Sequence, residues 1–169
     1  MCKSVLAGLS CLALWCVPSF AQATATPDQK FVDMAAQIDM MEAHLGQMAA
    51  DQASAQDVKD YAQMLVTDHT NDYQQLSTAA TKAGATVPKG LDAAHNKMIA
   101  PFEKLKGAAF DHRFAREMVA GHEKAIAEYK KESQDGQSAD LKAYATQALP
   151  TLEKHLQQAK DLQKGKKST

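Results

Sequence analysis

The sequence has three cysteines, Cys2, Cys11 and Cys16, and none after them. From Val17 onward the chain therefore cannot form a disulfide, supply a thiolate to a metal or use a cysteine nucleophile. Its stability has to come from packing. Charge of one sign is also missing: 19 Lys and Arg stand against 20 Asp and Glu. Nothing in this balance is an electrostatic footprint for nucleic acid. The basic run Lys164-Gly165-Lys166-Lys167 reads as a solvated helix end. Apolar and polar residues never alternate with a strand period, and there is no glycine-rich phosphate loop, no Gly-x-Ser-x-Gly elbow and no solenoid repeat. The longest apolar run, Val5 to Val17, is too short for a membrane span.

That run does have a reading. Met1-Cys2-Lys3, the apolar stretch and Pro18-Ser19-Phe20-Ala21 make a basic region, an h-region and a small-x-small cleavage site. This predicts a secretory signal peptide cut after Ala21, with Ala23 as the next-best site, and a periplasmic or secreted protein. A lipid anchor is disfavoured. Trp15 directly before Cys16 is bulky, and Gly8-Leu9-Ser10 puts no large aliphatic residue three positions before Cys11. Loss of Lys3 with the leader leaves the remainder two charges negative. The expected layout is a leader at 1–21, a short segment at 22–27, one domain at 28–164 and a basic tail at 165–169.

The remainder is written in helical periods. Thr26 can cap a first helix with Pro27 in its first position, and Phe31, Ala35, Ile38, Glu42, Leu45 and Ala49 form its stripe. Ser54 to Asp57 reads as the cap of a second, with the stripe Val58, Ala62, Leu65, His69, Tyr73, Leu76 and Ala80, and Gly84 as its stop. Between Ala85 and Gly107 the pattern breaks. Asp92 caps a short helix there, and Pro101 strains or ends it. A third long helix starts near Ala108 with Asp111, Phe114, Met118, His122, Ala125 and Tyr129, and ends at Gly136. Ser138 opens the fourth, with Leu141, Ala145, Ala148, Leu152, His155, Ala159 and Leu162, where Pro150 predicts a kink. Four long helices with apolar stripes and a short extra one predict an all-α four-helix bundle.

Four residues do not belong on those stripes by default: Glu42, His69, His122 and His155. Each lies mid-helix. Glu42 and His69 stand ~18 and ~22 Å from the first turn, and His122 and His155 ~21 and ~25 Å from the second, at ~1.5 Å per residue. They are therefore expected at one level of one core. A buried polar group without a partner costs on the order of 1–3 kcal/mol. Four together must satisfy each other, a water or a metal ion. Three imidazoles and a carboxylate suit Zn, Fe, Mn or Cu, and the residue types do not choose among them. A metal-free hydrogen-bonded layer is the competing expectation.

Around this layer Asp68 is a candidate partner for a ligand histidine or an acceptor at a helix interface. Asp72, three residues beyond His69, is a candidate fifth ligand or the carboxylate that orients His69. Tyr73 is the expected redox-active neighbour if the layer is an enzyme. Asp111 shares a face with His122 but lies ~16 Å away along the axis, so it is expected to be structural. His44, His95 and His112 are expected outside the layer, and Glu123 is expected to point aside. Met34, Met41 and Met48 recur every seven residues, and core filling explains them better than a copper ladder.

The runs Met41-Glu42-Ala43-His44-Leu45-Gly46, Val66-Thr67-Asp68-His69, Gly107-Ala108-Ala109-Phe110-Asp111, Met118-Val119-Ala120-Gly121-His122-Glu123 and Leu149-Pro150-Thr151-Leu152-Glu153-Lys154-His155, in this order, resemble the bacterial family known as domain of unknown function 4142. The resemblance covers about residues 28–162. It implies a ferritin-like bundle in an exported protein, with no established activity, and its recognised positions coincide with Glu42, Asp68, His69, His122 and His155. One departure limits the analogy. Di-iron bundles use Glu-x-x-His on two helices, and this sequence has none. One carboxylate and three histidines fit a single ion better than a bridged pair. The functional expectation is a divalent-transition-metal-binding bundle for metal handling or envelope stress. The alternatives are a mononuclear metal-dependent oxidase or peroxide-consuming enzyme, and a metal-free bundle acting through envelope contacts.

Overall fold

The computed structural model describes residues 25–165. The expected leader, with all three cysteines, and residues 166–169 lie outside them. The helices are α1 (Pro27–Gln52), α2 (Gln56–Lys82), α3 (Ala93–Ile99), α4 (Ala108–Asp135) and α5 (Ala139–Gln163), with a 3-10 turn, Ala100–Lys104, running on from α3. No strand occurs among the described residues.

Local chemistry sets most of the ends. Thr26 Oγ1 accepts from Gln29 N at 3.1 Å, and Pro27 fills the position where a free N–H is not needed. Gly84, at φ 71°, closes α2 as a Schellman cap: Ala85 N donates to Ala80 O at 2.8 Å and Gly84 N to Thr81 O at 3.2 Å. Asp92 caps α3 through His95 N, and the chain tightens into the 3-10 turn at Pro101. α5 continues through Pro150. The cap expected from Ser54 is not made. Ala55 is the N-cap of α2, without a side-chain bond, because Ser54 is committed to Asp111.

That commitment fixes the topology. Asp111, in the first turn of α4, accepts from Ser54 N and Ala55 N at 3.0 Å and from the Ser54 hydroxyl. Gly107 N adds a bond to Gln52 O at 2.7 Å. The start of α4 therefore sits on the α1–α2 turn. At the other end Asp28, in the first turn of α1, accepts from Gln137 N and Ser138 N, both at 2.9 Å, and holds the α4–α5 turn. The helices run up, down, down, up, with one crossover of the full bundle length, which is the ferritin-like arrangement. Two glutamines of α1 stitch that crossover down. Gln29 donates to Thr86 O and accepts from Thr86 N, and Gln37 donates to Gly90 O and accepts from Asp92 N.

The two aspartate clamps are equivalent, and so is much else at a constant offset of 83 residues. Asp28-Gln29-Lys30-Phe31 matches Asp111-His112-Arg113-Phe114, and Asp57-Val58-Lys59-Asp60-Tyr61-Ala62 matches Asp140-Leu141-Lys142-Ala143-Tyr144-Ala145. The bundle is a pseudo-two-fold pair of hairpins. Its apolar core falls into two parts. One gathers Phe31, Val32, Leu76, Tyr129, Leu141 and Tyr144; the other gathers Leu45, Ala49, Leu65, Phe110, Phe114 and Met118. Buried Glu42, His69, His122 and His155 belong to neither cluster.

Candidate metal centre

One residue from each long helix forms the centre: Glu42 of α1, His69 of α2, His122 of α4 and His155 of α5, none more than 2% exposed. His69 Nε2 lies 3.0 Å and His122 Nε2 3.5 Å from the same oxygen, Glu42 Oε2. The three imidazoles face one another at centroid separations of 5.9, 5.4 and 5.3 Å. One nitrogen from each lies within 4.8 Å of the other two.

The outer nitrogens decide the ring orientations. His69 Nδ1 pairs with Asp39 Oδ1 at 2.9 Å, His122 Nδ1 with the Met118 carbonyl at 2.9 Å, and His155 Nε2 with Asp68 Oδ2 at 2.9 Å. An acceptor at each outer nitrogen fixes the N–H there and turns the other nitrogen inward. The inward atoms are His69 Nε2, His122 Nε2, His155 Nδ1 and Glu42 Oε2. All four are buried; His69 Nε2 and Glu42 Oε2 face each other at 3.0 Å, while His122 Nε2 and His155 Nδ1 have no hydrogen-bond partner.

Electrostatics show what stands in for a cation. Burial works against the Glu42 carboxylate, but the fields of His122 and His69 outweigh it and bring its pKa down to about 2. Burial likewise works against a charged His69; Glu42 and Asp39 outweigh it and raise its pKa to about 10. His69 is thus an imidazolium held between two carboxyl groups. His155 is the opposite case. Burial, only partly offset by Asp68, lowers it to about 4 and keeps it neutral. Burial raises Asp39 to about 7 against the pull of His69.

Several sequence expectations require correction. Asp39, not Asp72, orients His69. The α1 stripe passes through buried Asp39, while Ile38 is only half-buried. The signal was present, since Asp39 stands three residues before Glu42 on the same face. Asp72 instead accepts from the hydroxyls of Tyr144 at 2.7 Å and Tyr129 at 3.4 Å. Tyr73 turns away, and its hydroxyl donates to Pro88 O at 2.6 Å in the crossover. A tyrosine tied to the layer is Tyr61, which donates to the main-chain carbonyl of His155 at 3.2 Å. Asp68 pairs with His155 Nε2 at 2.9 Å across the α2–α5 interface. His44 and His112 are exposed, His95 pairs with Asp92, and Glu123 pairs with Lys160 at the surface. On the α2–α5 face a pocket of about 270 Å³, lined by Asp68, Asp72, Gln147 and Thr151 among others, opens onto His69 and His155.

Donors bound at ~2.0–2.1 Å to one ion lie at most about 4 Å apart. The observed arrangement needs only a small inward movement of the rings to reach that. Fold and centre together define a class: an all-α bundle with a buried, nitrogen-rich polar centre able to hold one metal ion. The chain belongs to the family described as domain of unknown function DUF4142, which it matches over residues 17–162. Among curated proteins no sequence match is found. Solved structures with the same fold include CopM in its Cu(II)-bound form, at 17% identity and TM-score 0.68, covering 82% of this chain and 96% of that one. The Cu(I)-bound form matches at 14% identity and TM-score 0.67 with the same coverage. A silver-bound form obtained by soaking matches at 19% and 0.64, covering 84% and 98%. No helix among the described residues is long and apolar enough to cross a membrane.

Proposed function

We propose that this protein is an exported metal-handling bundle that holds one transition-metal ion through Glu42, His69, His122 and His155. The observation that carries the reading is the meeting of three buried imidazoles, each turned by its own outer acceptor, beside the Glu42 carboxylate, with His122 Nε2 and His155 Nδ1 left without a partner. Leaving such groups unsatisfied costs on the order of 1–3 kcal/mol each, and an ion at their centre removes that cost. On binding, the ion displaces the proton of His69, so acid releases it. Imidazole donors suit copper as well as zinc and iron. The copper- and silver-bound states of the structurally similar CopM favour copper first. Export rests on the leader ending at Ala21, and residues 28–164 act as one domain.

The test is elemental analysis of untagged protein purified from the periplasm, followed by reloading of chelator-treated protein. One ion per chain is expected, lost on acidification and lost in the His122→Leu variant. A wild-type protein that retains no ion after desalting, from copper, zinc, iron or manganese, refutes the reading and leaves the metal-free layer. Turnover of peroxide or oxygen by loaded protein would move the assignment to an oxidase.

A further inference from the structure

The seven-residue methionine spacing of α1 dissolves in three dimensions. Met34 packs against the Phe31 cluster, whereas Met41 and Met48 belong with the other cluster. A different set comes together. Met41 of α1, Met98 of α3 and Met118 of α4 line one pocket of about 200 Å³, and Glu42 lies in its wall. Three separate elements each contribute one methionine to its lining.

The place of this pocket in the fold gives it a use. Glu42 spans two surroundings. Oε2 meets His69 and His122, while Oε1 lies under Gly121, where an added Cβ would stand 3.4 Å from it. The residue before His122 thus has no side chain between the pocket and the carboxylate. At the outer end Met98 is 50% exposed, the one large hydrophobic side chain to stand so among the described residues. Glu117 and Lys124 share the pocket wall with opposite charges. Exposing a methionine on a short helix held against α1 costs apolar burial for no packing gain. Thioethers are soft, polarisable ligands that select soft monovalent ions and bind hard or borderline divalent ions poorly.

We propose that Met41, Met98 and Met118, with Glu42 at the base, form a thioether port that takes up a soft monovalent cation, Cu(I) or Ag(I), and passes it over Gly121 to the histidine layer. The transfer rests on the proposed metal centre; capture at the thioethers does not. An ion at the port meets neutral sulfurs first and a carboxylate next, then exchanges sulfur for imidazole as it moves inward. The opposite pocket, beside Asp68 and Asp72, offers only oxygen and nitrogen donors and is not part of the route.

The experiment is a silver(I) titration in chloride-free buffer of the exported form, starting after Ala21 and so free of cysteine, carrying 13C-methyl methionine, with the histidine ring signals followed in parallel. The methyl signals of Met41, Met98 and Met118 are expected to shift together with the ring signals of His69, His122 and His155. Met34, Met40, Met48 and Met64 are expected to stay put. Zinc(II) is expected to move the rings alone, and a methyl response to zinc overturns the softness argument. If the rings shift while the three methyls do not, the port is wrong and the metal centre stands. If the methyls shift with silver while the rings answer neither silver nor zinc, the port stands as a site and the metal centre fails; if the rings answer zinc alone, the transfer fails and both sites stand. No response to silver or to zinc refutes both. Met98→Leu preserves shape at a half-exposed position, and Met41 and Met118 should then need on the order of tenfold more silver to respond. An unchanged titration in that variant removes Met98 from the port.

Discussion

Replacing His155 with leucine separates the metal centre from a merely structural polar layer. His155 is buried, its Nδ1 has no partner, and buried Leu152 and Ala159 flank it along α5. Its bond from Tyr61 is to the main-chain carbonyl and survives the change. Asp68, which loses its ring partner, is 33% exposed and can turn to water. The substitution therefore removes an unsatisfied nitrogen, worth ~1–3 kcal/mol, and adds apolar burial. The metal-free variant should be at least as stable as metal-free wild type. The loaded proteins should behave differently. At a free-ion concentration of 100 Kd, wild type gains ~2.7 kcal/mol. A tenfold loss of affinity cuts that to ~1.4 kcal/mol. At roughly 4 °C per kcal/mol for a domain of this size, the metal-dependent rise in Tm falls from ~11 °C to ~6 °C or less. Melting curves of both proteins in chelator and in copper or zinc measure this. Equal metal-dependent rises in both would exclude His155 as a ligand. A metal-free variant weaker than wild type by more than ~2 kcal/mol would show that the ring is a satisfied part of the fold, as in a structural layer.

Local geometry and charge each supply another prediction. Gly46 sits where α1 meets α2: a Cβ there would lie 2.7 Å from Val66 Cγ2 and 2.8 Å from Ala62 O. Gly46→Ala should cost ~1–3 kcal/mol in denaturant unfolding, with Val66→Ala in the same background recovering only part, since the main-chain contact remains. In metal-free protein the His155 ring should stay neutral until about pH 4, because burial lowers its pKa from 6.5. The unfolded chain takes up that proton first, so this group's stability is intact above pH 6.5 and is lost as pH falls towards 4. The loss is on the order of 3 kcal/mol. Ring NMR titration and melting curves across that window check the sign. A His155 ring that protonates near pH 6.5 would contradict it, and His155→Leu should flatten that part of the profile.

How far the centre can be read in the sequence depends on the kind of signal each residue gives. Glu42, His69, His122 and His155 are legible because a polar residue mid-stripe on an apolar face is an anomaly that periodicity exposes. Asp39 gives only a weak signal, its place three residues before Glu42 on the same face, because Ile38 beside it satisfies the stripe by residue type and an aspartate reads as solvated unless its partner is known. Asp72 lies on the face expected of it, but its partners come from α5 and α4 through Tyr144 and Tyr129, and the stripe of a single helix does not contain them. Tyr73 depends on the path of the crossover, which has no periodicity to read. The thioether port is illegible for the same reason, since α3 brings Met98 to Met41 and Met118 by tertiary packing alone.

The pseudo-two-fold axis explains how the layer was fitted into a symmetric frame, and it yields a further prediction. Across the offset of 83, Tyr61 bonded to the His155 carbonyl corresponds to Tyr144 bonded to Asp72, and Asp72 is the counterpart of His155. Asp39 likewise corresponds to His122. Equivalent places hold carboxyl groups in one hairpin and imidazoles in the other, so the frame is repeated while the charge is not. Glu42 and His69 correspond to Ala125 and Leu152, both buried apolar residues in the second hairpin. The backbone has thus already packed Ala and Leu at these two places once. Glu42→Ala alone takes from the His69 imidazolium one of its two carboxyl partners, leaving Asp39, and should cost up to ~3–5 kcal/mol, the cost of breaking a buried pair. Glu42→Ala with His69→Leu removes both charges, and such replacements are often neutral or stabilising by ~1–4 kcal/mol. Asp39, whose pKa burial already pushes up to about 7, then keeps its proton. The double variant should melt above the single one in chelator while binding no metal. If it melts below the single variant, Glu42 and His69 are not a coupled pair, and no imidazolium stands at the centre of the layer.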